Sequence, residues 1–167
     1  MKQTILVFLA AFFLMALKAG DRVPNFSAKN QNGVTVDFSK TIKGKPTLLY
    51  FYPKDDTSGC TKEANQLKEI YPKFLALGAQ VYGVSRQGEK SHQAFIKKYG
   101  LPFDLLVDEN GKLADQLGVG SMPILGLHKR QSLLIGADGR LVRFYENVDP
   151  ATHAETVLSD IKKLTKK

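Results

Sequence analysis

The chain has 167 residues, 43% hydrophobic and 24% charged, a balance that suits one globular domain with a sizeable core. It holds 14 Gly, 7 Pro and no low-complexity run, which excludes collagen-like and disordered classes; its single cysteine excludes an intramolecular disulfide, a Cys-x-x-Cys redox pair and a multi-cysteine zinc site. The 24 Lys and Arg against 16 Asp and Glu give a net charge of +8, but the lysines are scattered apart from the tail Lys162, Lys163, Lys166 and Lys167, and no zinc-finger spacing or RNA-binding aromatic motif accompanies them. The charge reads as a solvated surface, and no nucleic-acid partner is expected.

At the N-terminus, one Lys precedes an unbroken apolar run over residues 5–17, ILVFLAAFFLMAL. A short basic region followed by an apolar run of this length is the pattern of a secretory signal peptide. The run is too short to cross a hydrocarbon core of about 30 Å. Residues 1–19 are therefore expected to export the chain, to the periplasm, leaving a domain over residues 20–167. Ala16 and Ala19 suit the end of a cleavage site, but Leu14 and Leu17 stand where small residues are wanted, so the alternative is an uncleaved membrane anchor over residues 5–17.

Residues 25–29 and 34–38 flank Asn30-Gln-Asn-Gly33, which predicts an N-terminal β-hairpin. Residues 47–52 form an apolar run ended by Pro53, the pattern of a strand buried on both faces. A helix follows over residues 60–77, with Ala64, Leu67, Tyr71 and Phe74 on one stripe, a kink expected at Pro72 and a stop at Gly78. Then come a strand over 80–85, a helix over 91–99, a strand over 103–107 and a brief helix over 113–117. Residues 118–129 read as a loop. Residues 131–135 and 141–145 form a hairpin across Ala137-Asp-Gly139. Asp149 and Pro150 suit the cap and first residue of a last helix, whose apolar face is Val157, Leu158, Ile161 and Leu164. Strands alternating with helices imply an α/β fold, a central mixed sheet flanked by helices, with ligands held beyond the carboxyl ends of strands.

The segment after the most apolar strand, FYPKDDTSGCTKEA, holds Cys60 in the first turn of the following helix. Unpaired backbone N–H groups and the positive end of the helix dipole stabilise a thiolate there. Thr57 can donate its hydroxyl to the sulfur or to a bound oxygen, and Pro53 offers an apolar wall without an N–H. An isolated cysteine on an apolar stripe is most often an inert small hydrophobe. Here the cysteine follows Thr57-Ser58-Gly59 in a strand-to-helix turn, which favours reactivity.

The pattern Pro53-x-x-x-Thr57-x-x-Cys60, with Gly20-Asp-Arg-Val-Pro-Asn-Phe26 before it and Arg130-Gln-Ser-Leu-Leu-Ile135 after it, resembles the peroxiredoxins. The string around Cys60 resembles their Q-type branch, the bacterioferritin comigratory proteins. The resemblance runs from about residue 20 to residue 164. It implies a thioredoxin-like fold and a thiol peroxidase that reduces hydrogen peroxide and organic hydroperoxides to water and alcohols. Cys60 would be the peroxidatic nucleophile, and Thr57 would hydrogen-bond the thiolate and the peroxide. Pro53 would shield the sulfur from water. Arg130 would stabilise the thiolate and polarise the O–O bond, with Glu63 orienting it, and the backbone N–H groups of Gly59 and Cys60 would bind the peroxide oxygens. Such chemistry relies on preorganised donors and calls for no metal, flavin or haem cofactor.

Two departures stand out. Ser58 replaces a proline common in relatives, and Asn65 replaces the resolving cysteine that many carry five residues after the first. The chain would thus be a 1-Cys type resolved by an external thiol such as thioredoxin, glutaredoxin or glutathione, and act as a monomer or weak dimer. A peroxide sensor and a thiol–disulfide transfer protein are the alternatives; a lone thiol would stall the latter as a mixed disulfide. His92, His128 and His153 lie in separate segments and are expected at the surface; His128, near Arg130, reads either as a border of the pocket or as a plain loop residue. Gly118-Val-Gly120-Ser-Met-Pro123 reads as a flexible loop rather than a phosphate loop. Arg86 is expected in solvent, and Phe51, Tyr52 and Phe103 in the core.

Overall fold

The computed structural model describes residues 17–166. Most of the expected leader, residues 1–16, therefore lies outside the described residues. The N-terminal hairpin is present as β1 (Ser27–Asn30) and β2 (Thr35–Asp37), paired from Ser27 opposite Asp37 to Lys29 opposite Thr35. Gly33 supplies the positive φ, 72°, that its turn requires.

The apolar run 47–52 becomes β3 (Thr47–Phe51), in which every residue is buried. It is central because both of its edges are paired: β4 (Gln80–Ser85) lies parallel on one side and β8 (Gln131–Ile135) antiparallel on the other. With β5 (Leu105–Val107) beside β4, and β9 (Leu141–Tyr145) beside β8, the seven-stranded mixed sheet runs β2-β1-β5-β4-β3-β8-β9. Alternation along β3 divides the core in two. Leu48, Tyr50 and Tyr52 face one layer, with the buried stripes of α1 (Ser58–Ala76) and α4 (His153–Leu164) and Phe95 of α2 (Glu89–Tyr99). Leu49 and Phe51 face the other, with Phe38, Ile42 and the buried side of α3 (Lys112–Leu117).

Several boundaries differ from the sequence reading. The helix α1 starts at Ser58, two residues before the expected Cys60, and runs through Pro72, exposed on its outer side, to Ala76. Residues 118–129 are not a plain loop but carry a short hairpin, β6 (Ser121–Met122) and β7 (Leu127–His128). The last helix begins at His153 rather than Pro150. Asp149 closes a turn ahead of it: its Oδ1 accepts from the Ala151 N–H at 2.9 Å, and its carbonyl from the N–H groups of Thr152 (3.2 Å) and His153 (3.0 Å). A π-helical turn over Phe38–Ile42, capped by the Asp37 carboxylate on the N–H groups of Ser39 and Lys40, drives Phe38 and Ile42 into the second core layer.

Candidate active site

The site forms where β3 ends. Tyr52, fully buried, is followed by a loop that reaches α1 at Ser58. Asp55 pins this loop to α2. Its buried carboxylate accepts hydrogen bonds from the Tyr52 hydroxyl (2.6 Å) and the Ser91 hydroxyl (2.6 Å), and pairs with His92 Nδ1 at 2.9 Å. Burial pushes the Asp55 carboxyl up, but the hydrogen bonds and charge of His92, with Ser91 and Tyr52, outweigh it and hold the group below its ordinary value. Asp56 adds a second tie, accepting from Lys98 Nζ at 2.7 Å and from the Tyr99 hydroxyl. It does so from the left-handed region, φ 57°, which Asp tolerates better than most side chains.

Thr57 is the N-cap of α1, and its carbonyl accepts the first helical bond from Thr61 N–H at 2.8 Å. Its hydroxyl makes no cap bond and donates instead to the Lys54 carbonyl at 2.9 Å. In the geometry seen here that proton is directed within the loop rather than at the sulfur. The N–H groups of Ser58, Gly59 and Cys60 precede the first helical bond and stay free of intrahelical partners. Cys60 sits third in the helix and is 1% exposed.

Arg130 reaches Cys60 from across the sheet. The antiparallel register sets Gln131 opposite Phe51, so Arg130 arrives beside the end of β3. Its Nη2 donates to Cys60 Sγ at 3.3 Å and its Nη1 to Glu63 Oε2 at 2.5 Å. Glu63, one turn after Cys60, is fully buried, and its other oxygen has no partner. Burial therefore pushes its carboxyl up to about 7, against the opposing pull of Arg130. Arg130 keeps a fifth of its side chain in solvent, so burial costs it less, and the Glu63 charge and the Cys60 contact hold its guanidinium firmly protonated. A Cβ at position 59 would come within 3.1 Å of Arg130 Nη2, so glycine leaves room for the guanidinium.

Of the expected site residues, Cys60, Glu63, Gly59 and Arg130 converge. Pro53, half-buried, and Thr57 lie in the adjoining loop. The histidine expectation is overturned: His92, His128 and His153 are all buried. His92 and His153 meet hydrogen-bond partners in the interior, whereas both ring nitrogens of His128 lack one and only its proximity to the Asp108 carboxylate offsets its burial. His92 holds Asp55, and His128 Nε2 lies 3.1 Å from the Asp108 carboxylate. His128 also packs edge-on against Phe51, on the sheet face opposite Cys60, so it does not border the site. His153 Nε2 meets Ser132 Oγ at 2.9 Å; burial, with the charges of Arg130 and Arg143, drives its pKa down to about 4. Arg86 is half-buried against Gly111 rather than solvated, while Phe51, Tyr52 and Phe103 are core. Asp55, Ser91 and His92 escaped the sequence reading because 37 residues separate Asp55 from His92, and no local pattern links them.

A buried thiol at a helix start, with free N–H groups on one side and an anchored guanidinium on the other, defines a site that stabilises negative charge at sulfur. On this mixed sheet it defines a thioredoxin-like thiol enzyme. Residues 19–144 match the AhpC/TSA family, and the chain belongs to it. It is 43% identical over 146 residues to a chloroplastic peroxiredoxin Q of Triticum aestivum, covering 87% of this chain and 67% of the relative. It is 35% identical over 159 residues to peroxiredoxin Bcp of Bacillus subtilis (strain 168), covering 92% and 100%. Among solved structures, peroxidoxin BcpB of Mycobacterium tuberculosis superposes with a TM-score of 0.82 at 27% identity, covering 89% of this chain and 98% of that one. The bacterioferritin comigratory protein of Xanthomonas campestris gives 0.77 at 30% identity, covering 84% and 92%. The chain is thus a peroxiredoxin of the Q-type branch, a thiol peroxidase.

Proposed function

We propose that Cys60 is the peroxidatic nucleophile of a one-cysteine cycle. The Cys60 thiolate attacks one oxygen of a hydroperoxide. An S–O bond forms, the O–O bond breaks, and the leaving oxygen departs as hydroxide or alkoxide to take up a proton. Charge thereby moves from sulfur towards the leaving oxygen. Arg130 and the free N–H groups of Gly59 and Cys60 meet that charge as preorganised donors. Glu63 holds Arg130 in place, Pro53 limits water at the sulfur, and a rotation of the Thr57 hydroxyl away from Lys54 would aim it at the bound peroxide. The observation that carries this reading is the 3.3 Å contact between Cys60 Sγ and an arginine fixed by a buried carboxylate.

The product is a Cys60 sulfenic acid. With one cysteine in the sequence and Asn65 at the position where relatives hold a second, resolution falls to an external thiol. That thiol displaces water to give a mixed disulfide, and a second thiol opens it. Thioredoxin, glutaredoxin and glutathione are the candidate reductants, and hydrogen peroxide and organic hydroperoxides the substrates. The Xanthomonas campestris relative's activity on alkyl peroxides supports the latter. The role is antioxidant defence, by a monomer or weak dimer. The basic and apolar N-terminal pattern supports export, to the periplasm, or anchoring over residues 5–17; the chloroplastic plant relatives support targeting in general. Among the described residues no helix is long and apolar enough to cross a membrane.

The test is peroxide consumption by the purified chain with each reductant in turn. Sustained turnover with at least one, and none in a folded Cys60→Ser variant, is expected. One stoichiometric event with every reductant would mark a sensor instead, and turnover by Cys60→Ser would end the nucleophile assignment.

A further inference from the structure

The loop between β3 and α1 is fixed at one residue. Asp55 is 7% exposed, and its carboxylate meets three partners: the Tyr52 hydroxyl on one oxygen, the Ser91 hydroxyl and His92 Nδ1 on the other. Its N–H donates to Gln87 Oε1 at 3.3 Å, just past β4, and His92 Nε2 lies 3.2 Å from the Leu106 carbonyl of β5. Asp55 is thereby tied to β4, α2 and β5 at once. No buried polar atom of this clasp lacks a partner, although Tyr50, Thr61, Glu63 and His128 each hold one that does.

A buried carboxylate beside a histidine is a poor source of stability, because desolvation of the two groups offsets their attraction. What a fully satisfied buried network supplies is a fixed geometry. Only Asp56 and Thr57 separate this fixed point from Ser58, the first residue of α1. Neither gives slack. Asp56 is held at φ 57°, alone among the described non-glycine residues in having a positive φ, and the Thr57 hydroxyl closes on the Lys54 carbonyl. The first turn of α1 has no side-chain cap bond and no acidic residue to steady it. Its position is therefore set from the loop.

We propose that Ser91 and His92 are positioning residues for the peroxide step. The hydrogen-bond partner of the sulfur is Arg130, not either of these. Acting through Asp55, they fix where α1 begins, and so where the free N–H groups of Gly59 and Cys60 and the sulfur itself stand relative to Arg130. The inference rests on Cys60 as the nucleophile. A displacement of about 1 Å at a reacting centre costs up to roughly 100-fold in rate, so loss of one of the three ties on the carboxylate should cost about tenfold.

Two measurements test it in the full-length protein. Oxidation of Cys60 by peroxide alone, followed by quenched flow and intact mass, reads the step without a reductant. The pH profile of Cys60 alkylation reads the surroundings of the sulfur without peroxide. Ser91→Ala should slow the oxidation about tenfold and move the alkylation profile to higher pH, because the thiolate loses part of its alignment with the helix N–H groups. Ser91→Thr keeps the hydroxyl and should restore both. Ile42→Val, in the other core layer, should lower the urea midpoint and change neither. His92→Ala removes two bonds and should slow the step further where it folds; the Ser91 pair decides the matter where it does not. A Ser91→Ala protein that unfolds in less urea yet keeps the wild-type oxidation rate and alkylation profile would confine Ser91 to a structural part and overturn the proposal. Turnover by a folded Cys60→Ser would strike the nucleophile reading alone, since a shifted alkylation profile in Ser91→Ala would still uphold the positioning of the sulfur.

Discussion

Replacing Glu63 with Gln should make stability less sensitive to pH while weakening the chemistry. Glu63 is buried with one oxygen on Arg130 and the other on nothing. Its carboxyl moves from an ordinary 4.5 to about 7 because burial outweighs the guanidinium. The folded chain therefore holds the Glu63 proton more tightly than the unfolded chain. Glu63 leaves stability intact below pH 4.5 and erodes it as pH rises through about 7. Between pH 5 and pH 8 the loss comes to about 2.5 kcal/mol. A chain of this size should show it as roughly 5–10 °C in melting temperature. Gln cannot ionise, so Glu63→Gln escapes this loss. Its NH₂ takes the place of the unpartnered oxygen and costs about 1–3 kcal/mol at every pH. The informative quantity is therefore the change with pH in the gap between variant and wild type, in which the other titrating groups cancel. Urea unfolding of both proteins from pH 5 to pH 8 measures it, and the variant should gain about 2.5 kcal/mol on the wild type across that span. The peroxide step should meanwhile slow roughly tenfold or more, because a neutral amide holds Arg130 less firmly against Cys60. A gap that stays constant across the pH range would refute the assignment of burial as the dominant influence on Glu63.

Arg130→Gln removes a charge-assisted bond to sulfur worth about 1.5–3 kcal/mol, so the peroxide step and alkylation of Cys60 at neutral pH should slow about 10- to 100-fold; unchanged stopped-flow and alkylation rates would place Arg130 outside the chemistry. Asp55→Asn should destabilise the fold by about 1–3 kcal/mol at neutral pH, since it weakens the buried hydrogen bonds that the Asp55 carboxylate makes to Tyr52, Ser91 and His92. Because the Asp55 carboxyl is held below its ordinary 3.8, the stability it brings is present above that value and lost as pH falls past it. The gap between Asp55→Asn and wild type in urea unfolding should therefore close in acid, and a gap that persists there would count against the ionised clasp. Intact-mass measurement after peroxide alone should show one and then further oxygens on Cys60 with no intramolecular disulfide. A small thiol added first should give a mixed-disulfide adduct that blocks the higher oxides. A Cys60 that stays reduced throughout would end the one-cysteine cycle.

What the sequence determined by itself is whatever rests on neighbours a few residues apart. The apolar run 47–52 could only be a strand covered on both faces, and all of β3 is buried. The spacing of Ala64, Leu67 and Phe74 could only be a helix packed by one stripe, and the placement of Cys60 at its start follows from that boundary. The Asn-Gly and Asp-Gly turns marked the hairpins for the same local reason. The last helix shows the limit of such signals: Asp149 does cap backbone N–H groups, but a turn intervenes before the helix, and Asp149-Pro150 suits either start.

The partners of Cys60 and Asp55 were decided by the tertiary structure. Arg130 meets a sulfur 70 residues away because β8 pairs antiparallel with β3 in one register, and a shift of one residue would turn its side chain to the other face. Asp55 finds His92 because β4 and α2 bring residue 92 back over the loop, which also buries a histidine that composition alone puts in solvent. Glu63 acquires its raised pKa from the layer of side chains that excludes water around it. Protonation, burial and pairing across strands depend on which distant segments share a volume, and that is settled by the packing of the whole chain rather than by any stretch of it.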